Sequence, residues 1–404
     1  MDAYWNEIRK EFPILETEVS GNKLIYLDNA ATVQIPECVS REMYDFINTA
    51  NANVHRGMHY LSMKATRMQE EAREKIRKFL KADDSYEVIF TSGTTHSVNL
   101  AAFGLKNILQ EGDDVSVSIL EHHSNLLPWR RAAEASGASF NLIPCPDGNF
   151  DLETFSAETG KINAVTSVSN LTGSVLPLKE IVNVAHRKGT LVLVDGAQAV
   201  RHSESDVEET KCDLYAFSGH KMCAPTGIGV LLGKKDVLRK FEPLMPGGGT
   251  VSEVTETTRT FDDIPYRLEG GTPNIIGITG LAKAAEFLDD IGRKLIAERE
   301  KELTDALADT VKKTEGLRII GDPEKRQGII SFNVGGINSY DIAQLLDKQG
   351  IAVRSGTHCA EPALKSFGVK DAVRASIAFY NTFEEIEYFG QALSKTVKLL
   401  MKYK

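Results

Sequence analysis

A chain of 404 residues is long enough for two domains with substantial cores. Hydrophobic residues at 42% and charged residues at 25% exclude a disordered chain, and a net charge of −9 argues against nucleic acid as the main partner. No apolar run approaches the roughly 20 residues that span a bilayer, and the start of the chain is charged with no signal-peptide core, so a cytoplasmic protein without membrane association is expected.

Along the chain, Ala65, Met68, Ala72, Ile76, Phe79 and Leu80 follow helical spacing. A short apolar strand, Val88 to Phe90, leads through a Thr-Ser-Gly-Thr-Thr turn into a second helical pattern from Ser97 to Leu105. Further strands are predicted at Val115 to Ile119, Ala164 to Val168, Leu191 to Val194, Leu214 to Phe217 and Ile228 to Leu232, with helix-length stretches such as Leu178 to Lys188 between them. Continuous apolar runs suit strands buried on both faces of a mostly parallel sheet, hence α/β layering. After Gly247-Gly248-Gly249, one long helical region is expected from about Ile278 to Lys312. The remainder mixes strands (Ile329 to Val334, Ala352 to Arg354, Arg374 to Phe379) with helices. Thr382 and Glu385 form a capping box ahead of a last helix whose face carries Ile386, Phe389, Leu393, Val397 and Leu400.

The five cysteines, Cys38, Cys145, Cys212, Cys223 and Cys359, are odd in number and scattered. Neither a disulfide framework nor a metal site is indicated, so each is a buried hydrophobe or a reactive thiol.

The most informative segment is Asp213-Leu-Tyr-Ala-Phe-Ser-Gly-His-Lys221, a strand running into a polar turn. The strand before it ends in Asp195-Gly-Ala-Gln198. Ligands of parallel α/β sheets gather at the carboxyl ends of strands, which brings Asp195 and Lys221 to one crevice. An acid and a lysine so placed suit pyridoxal 5'-phosphate: the lysine takes the aldehyde and the acid keeps the pyridine nitrogen protonated. Taken singly, the pair would read as a surface lysine and a helix cap. Ser92-Gly93-Thr94-Thr95 offers hydroxyls and a helix start to a phosphate, and Ser218 and His220 add donors. Glu121-His122-His123 follows another strand, where an imidazole against the cofactor ring explains the position better than a metal pair. Cys359 sits in the loop Arg354-Ser-Gly-Thr-His-Cys-Ala360, where His358 and Arg354 would favour the thiolate and the loop would let it swing.

Together these stretches resemble the cysteine desulfurases of the class V aminotransferase superfamily, nearest to the SufS-type branch. The resemblance runs from Tyr26-Leu-Asp-Asn-Ala-Ala31 through Asn53-Val-His-Arg-Gly57, Glu121-His-His-Ser-Asn125 with Pro128-Trp129, Gly270-Gly-Thr-Pro-Asn274 and the Cys359 loop to Arg374-Ala-Ser. It implies the α/β fold of type I pyridoxal-phosphate transferases: a large domain with a mostly parallel seven-stranded sheet over 21–285, a smaller α+β domain over 286–404 carrying the Cys359 loop, and a packing segment at 1–20. It implies that Lys221 carries the cofactor and moves the substrate proton, Asp195 meets the pyridinium, Gln198 the ring hydroxyl, and His122 the ring face. Thr94, Thr95, Ser218 and His220 would bind phosphate, with Thr272 sent across a homodimer interface to the partner's phosphate. Asn170, Arg374, Arg354, His55 and Ala30 would contact substrate, and Cys359 would receive its sulfur. The implied reaction turns L-cysteine into L-alanine, with the Cys359 persulfide passed to a sulfur-acceptor protein or iron–sulfur scaffold. Related possibilities on the same residues are a selenocysteine or cysteine-sulfinate lyase and an aminotransferase with Cys359 a bystander; a catalytically silent sulfur carrier is the third. Where the family favours an acidic residue this chain has His96, and Cys223-Ala224 stands where Tyr-Gly is common.

Overall fold

A computed structural model describes residues 2–55, 57–201, 207–322 and 324–402. Arg56 of the 53–57 stretch lies outside them. Seven strands form the main sheet: β1 (Tyr86–Thr91), β2 (Asp114–Ser118), β3 (Ser139–Ile143), β4 (Ile162–Thr166), β5 (Leu191–Asp195), β6 (Leu214–Ser218) and β7 (Gly229–Lys234). Their order is β1-β7-β6-β5-β4-β2-β3, and only β7 runs against its neighbours. The mostly parallel sheet expected from the apolar runs is therefore present.

Successive side chains of a strand point to opposite faces, and here both faces are dry. Val192, Val194, Tyr215 and Phe217 join one buried apolar cluster, while Leu193, Leu214 and Ala216 join another on the opposite side. Burying each large aliphatic side chain is worth roughly 1.5–3 kcal/mol, so the two clusters fix the sheet between its helices. The edge strand β3 was not legible in the sequence: Ser-Phe-Asn-Leu-Ile buries only Ile143 fully.

A second, antiparallel sheet comprises β8 (Leu317–Ile319), β9 (Ile329–Val334), β10 (Arg354–Gly356) and β11 (Ala372–Ser376), in the order β8-β9-β11-β10. The long helix expected from Ile278 to Lys312 is instead two, α1 (Ile275–Ile291) and α2 (Arg293–Lys312), broken at Gly292 with φ +94°. The last helix, α3 (Phe383–Lys402), begins as expected: Glu385 N–H donates to Thr382 Oγ1 at 3.2 Å and Thr382 N–H donates to Glu385 Oε2 at 3.1 Å. The N-terminal segment is anchored on this end of the chain, with Phe12 packed on Tyr380 at 4.6 Å between ring centres and Arg9 bound to Glu385. Among the described residues no helix is long and apolar enough to cross a membrane.

Gly292 has no close neighbour that an added Cβ would strike, so its requirement is one of backbone conformation alone. Gly292→Ala is expected to lower unfolding free energy by roughly 1–3 kcal/mol without changing fold, measurable by denaturant unfolding.

Candidate active site

The carboxyl ends of β2, β4, β5 and β6 open onto a cleft of about 400 Å³, closed on its other side by the Arg354–Cys359 stretch and Arg374. It gathers Ala30, Thr94, Thr95, His122, Asn170, Asp195, Gln198, Ser218, His220, Lys221, Arg354, Cys359 and Arg374, nearly all of the residues the sequence singles out. Two are not brought in. His55 is exposed and packs edge-on against Tyr266 at 5.1 Å, and Thr272 is exposed on a separate loop. In this chain neither lines the cleft.

Burial sets the electrostatics. Lys221 is held down to about 8 by desolvation, partly offset by the Asp195 carboxylate. At pH 7.5 such an amine is neutral about a quarter of the time, against about one part in a thousand for an ordinary lysine. Asp195 is pushed up by burial, with the N–H of Ala197 and the charge of Lys221 pulling the other way. Gln198, one turn on, donates to the carbonyl of Ala30 at 2.8 Å. His122 is lowered to about 3 by burial and by Lys221. Its Nδ1 accepts from the Ser124 N–H at 3.1 Å, so the neutral ring carries its proton on Nε2.

One end of the cleft is a cradle of donors. Gly93 (φ +146°) turns the chain into the helix Thr94–Leu105, whose first N–H and Thr94 hydroxyl both meet Ser218 Oγ at 2.7 Å. A Cβ on Gly93 would stand 3.2 Å from that oxygen, so glycine keeps the approach open. Thr95 is exposed at the helix start, and His220, lowered to about 4 by burial, is oriented by Thr32 at 2.8 Å. His96, where an acid was expected, turns back on this loop: its Nδ1 accepts from the Ser92 N–H at 3.1 Å.

At the other end, Arg354 and Arg374 sit directly opposite each other on β10 and β11. Like charges so placed repel, and Asp28 resolves the conflict by binding Arg354 at 3.1 Å and Arg374 at 3.3 Å. Arg374 also donates to the Asn170 carbonyl at 2.9 Å, while its Nε is buried without a hydrogen-bond partner. Burial lowers it to about 10, with Asp28 opposing. The Asn170 amide holds the His358 carbonyl at 2.8 Å, and the Cys359 carbonyl accepts from His123 N–H at 2.9 Å. His358 and Cys359 both have left-handed backbones (φ +54° and +53°). Two hydrogen bonds therefore hold the loop backbone, and the Cys359 side chain is exposed.

The structure corrects the reading of His358 as a cation beside the thiol. Its ring is buried, donates Nε2–H to the Ala372 carbonyl at 3.0 Å, and is lowered to about 3 chiefly by desolvation. A neutral imidazole brings no positive charge to the thiol; the cations lining the cleft are Arg354, Arg374 and Lys221. Of the five cysteines only Cys359 is exposed. Cys223 is fully buried beside the Arg201–Glu300 pair and its thiol is pushed up by desolvation, which makes it a packing residue.

Two partners had no sequence signal strong enough to assign them. Asp28 lies inside the 26–31 stretch, but its service to two arginines needs the fold. Glu121 is fully buried, raised to about 8 by desolvation, and receives Asn125 at 2.6 Å and Thr166 N–H at 2.7 Å as well as the Ser118 hydroxyl. Trp129 extends this chain by donating to Asn125 at 3.2 Å. A carboxylate straight after an apolar strand, followed by Asn and Trp at steps of four, was the available clue.

The aminotransferase class-V family profile matches residues 25–389, and the chain belongs to that family. Over 397 residues it is 46% identical to a probable cysteine desulfurase of Halalkalibacterium halodurans, covering 97% of each chain. It is 40% identical over 400 residues to a cysteine desulfurase of Serratia proteamaculans, covering 97% of this chain and 98% of that one. Among solved structures, the apo cysteine desulfurase of Thermococcus onnurineus superposes with a TM-score of 0.92 at 38% identity, over 98% of both chains. The Escherichia coli cysteine desulfurase CsdA, in an S-sulfonic acid form, superposes at 0.89 with 35% identity, over 98% of this chain and 99% of that one.

The electrostatics can be checked without any ligand. A small amine-directed reagent should modify Lys221 with a rate that rises through pH about 8, below the ordinary lysine value of 10.5, as the proton leaves. Peptide mass spectrometry would follow it; a midpoint near 10.5 would contradict the desolvated site.

Proposed function

We propose that this protein is a cysteine desulfurase that binds pyridoxal 5'-phosphate in the Lys221 cleft and transfers the sulfur of L-cysteine to Cys359, leaving L-alanine. The observation that carries this is the one exposed thiol, Cys359, at the lip of a cleft lined by the half-buried Lys221 and the buried Asp195 and Arg374.

The residues present fit the cofactor. An amine that loses its proton well below the ordinary lysine range suits bonding to an aldehyde, a buried carboxyl lining the cleft suits a pyridinium, and Gln198 beside it suits the ring hydroxyl. A neutral His122 can lie against an aromatic ring without a charge penalty. The open turn at Gly93, with Thr94, Thr95, Ser218 and His220, suits a phosphate at a helix start. When bound, the cofactor draws electrons from the substrate α-carbon, so that the bond from β-carbon to sulfur becomes breakable.

The chain supplies everything else. Arg374 receives the substrate carboxylate through its unpartnered Nε and through Nη2, which it shares with Asp28. Asn170, fixed to the Cys359 loop, has a buried oxygen free to accept from the substrate amine. Lys221 would take the proton from the substrate α-carbon and could return one later. The Cys359 thiolate attacks the substrate sulfur: an S–S bond forms, the C–S bond breaks, and its electron pair stays on the carbon fragment, which is protonated to alanine. Arg354 and Ala30 border the space the substrate fills. The persulfide then stands at the protein surface for a sulfur-acceptor protein or scaffold in iron–sulfur cluster assembly. In this reading the protein is a homodimer, Thr272 serves the partner's phosphate, residues 21–285 hold the cofactor and 286–404 carry the thiol.

Protein loaded with pyridoxal phosphate and given L-cysteine with a reductant is expected to release alanine and sulfide in equal amounts. Cys359→Ala should keep the cofactor absorbance and lose both products. Full activity in that variant would contradict the reading.

A further inference from the structure

A buried ion pair lies behind the cleft, outside the machinery described above. Arg201, just past β5, is 3% exposed and its partner Glu300, on α2, is 0% exposed. Arg201 Nε donates to Glu300 Oε1 at 2.8 Å and Nη2 to Oε2 at 3.4 Å. The same guanidinium reaches two backbone carbonyls, Lys221 through Nη1 at 3.3 Å and Ile377 through Nη2 at 3.3 Å. Glu300 completes the bridge by accepting the Phe379 N–H at 3.1 Å. Ile377 directly follows β11, the strand that holds Arg374.

One planar group thus clamps the peptide of the amine-bearing lysine to the strand bearing the carboxylate-binding arginine. Isolated charges in such a place are costly, and burying a pair gains little stability over an apolar packing of the same shape. Geometry is what a rigid fork provides in return: a fixed relation between its acceptors. An α-amino acid presents its amine to one end of this cleft and its carboxylate to the other, so their separation must be held.

We propose that Arg201 and Glu300 are positioning residues that fix the spacing between Lys221 and Arg374, matching the cleft to an α-amino acid. This rests on the desulfurase reading for the identity of the substrate. The pair touches neither substrate nor cofactor; it acts through the two backbones.

The test uses holoenzyme and a readout other than turnover: the change in cofactor absorbance as L-alanine is titrated in. In the double variant Arg201→Met, Glu300→Gln, which leaves no buried charge unpaired, the cofactor spectrum should persist and L-alanine should bind about tenfold more weakly. Arg201→Lys keeps the charge but cannot span both carbonyls and the carboxylate, so it should bind about threefold more weakly, and it carries the test if the double variant does not fold. Arg9→Met, which breaks another largely buried Arg–Glu pair, is the control for stability loss alone and should leave L-alanine affinity unchanged. Wild-type affinity in the folded Arg201 variants, or equal weakening in Arg9→Met, would overturn the proposal. Failure of the desulfurase reading shows separately, as wild-type protein that makes no sulfide from L-cysteine.

Discussion

Keeping a carboxylate and an arginine out of water beside a half-buried lysine in one cleft is the constraint on which the rest of the structure depends. Each alone would be costly to bury. The charges of Asp195 and Lys221 each offset the other's desolvation, and Arg374 is stabilised by Asp28. The sheet makes this possible because its strand ends are already dry on both faces, so the charged residues are held by backbone geometry rather than by flexible contacts. The outcome is an amine that sheds its proton far more readily than an ordinary lysine and an arginine with a donor still unsatisfied. In the desulfurase reading, the amine suits the cofactor's aldehyde and the arginine the substrate's carboxylate.

The same constraint explains the placement of the thiols. Cys145 and Cys212 are pushed up to about 12 and Cys223 upward too, all by burial, so they are inert hydrophobes in the core. Cys359 alone is exposed, on a backbone held by Asn170 and His123. A pinned loop with two left-handed residues costs conformational energy, and it sets the thiol at the lip of the cleft.

Much of the site was legible because its residues sit where a period changes. Asp195 and Lys221 follow apolar strands, and the Gly93 turn joins a strand to a helix, so each announces itself against a hydrophobic background. What was hidden depends on partners distant in sequence. Asp28 becomes meaningful only beside Arg354 and Arg374, and Glu121 only beside Thr166 and Asn125. His358 reads as a cation next to a cysteine until its burial is known. The break at Gly292 was missed because the flanking segments are both strongly helical, and a lone glycine is often tolerated inside a helix. The antiparallel strand β7 looks like its parallel neighbours, since burial on both faces erases the difference in pattern.

The central claim is that the exposed thiol at the lip of the cleft, and no other, receives the sulfur. Pyridoxal-phosphate-loaded protein would be given one equivalent of L-cysteine without reductant, trapped with an alkylating reagent and mapped by peptide mass spectrometry. The account predicts one added sulfur atom on the peptide containing Cys359, with Cys38, Cys145, Cys212 and Cys223 unchanged. Alanine formed with the sulfur on another cysteine, or with none bound to the protein, would contradict it.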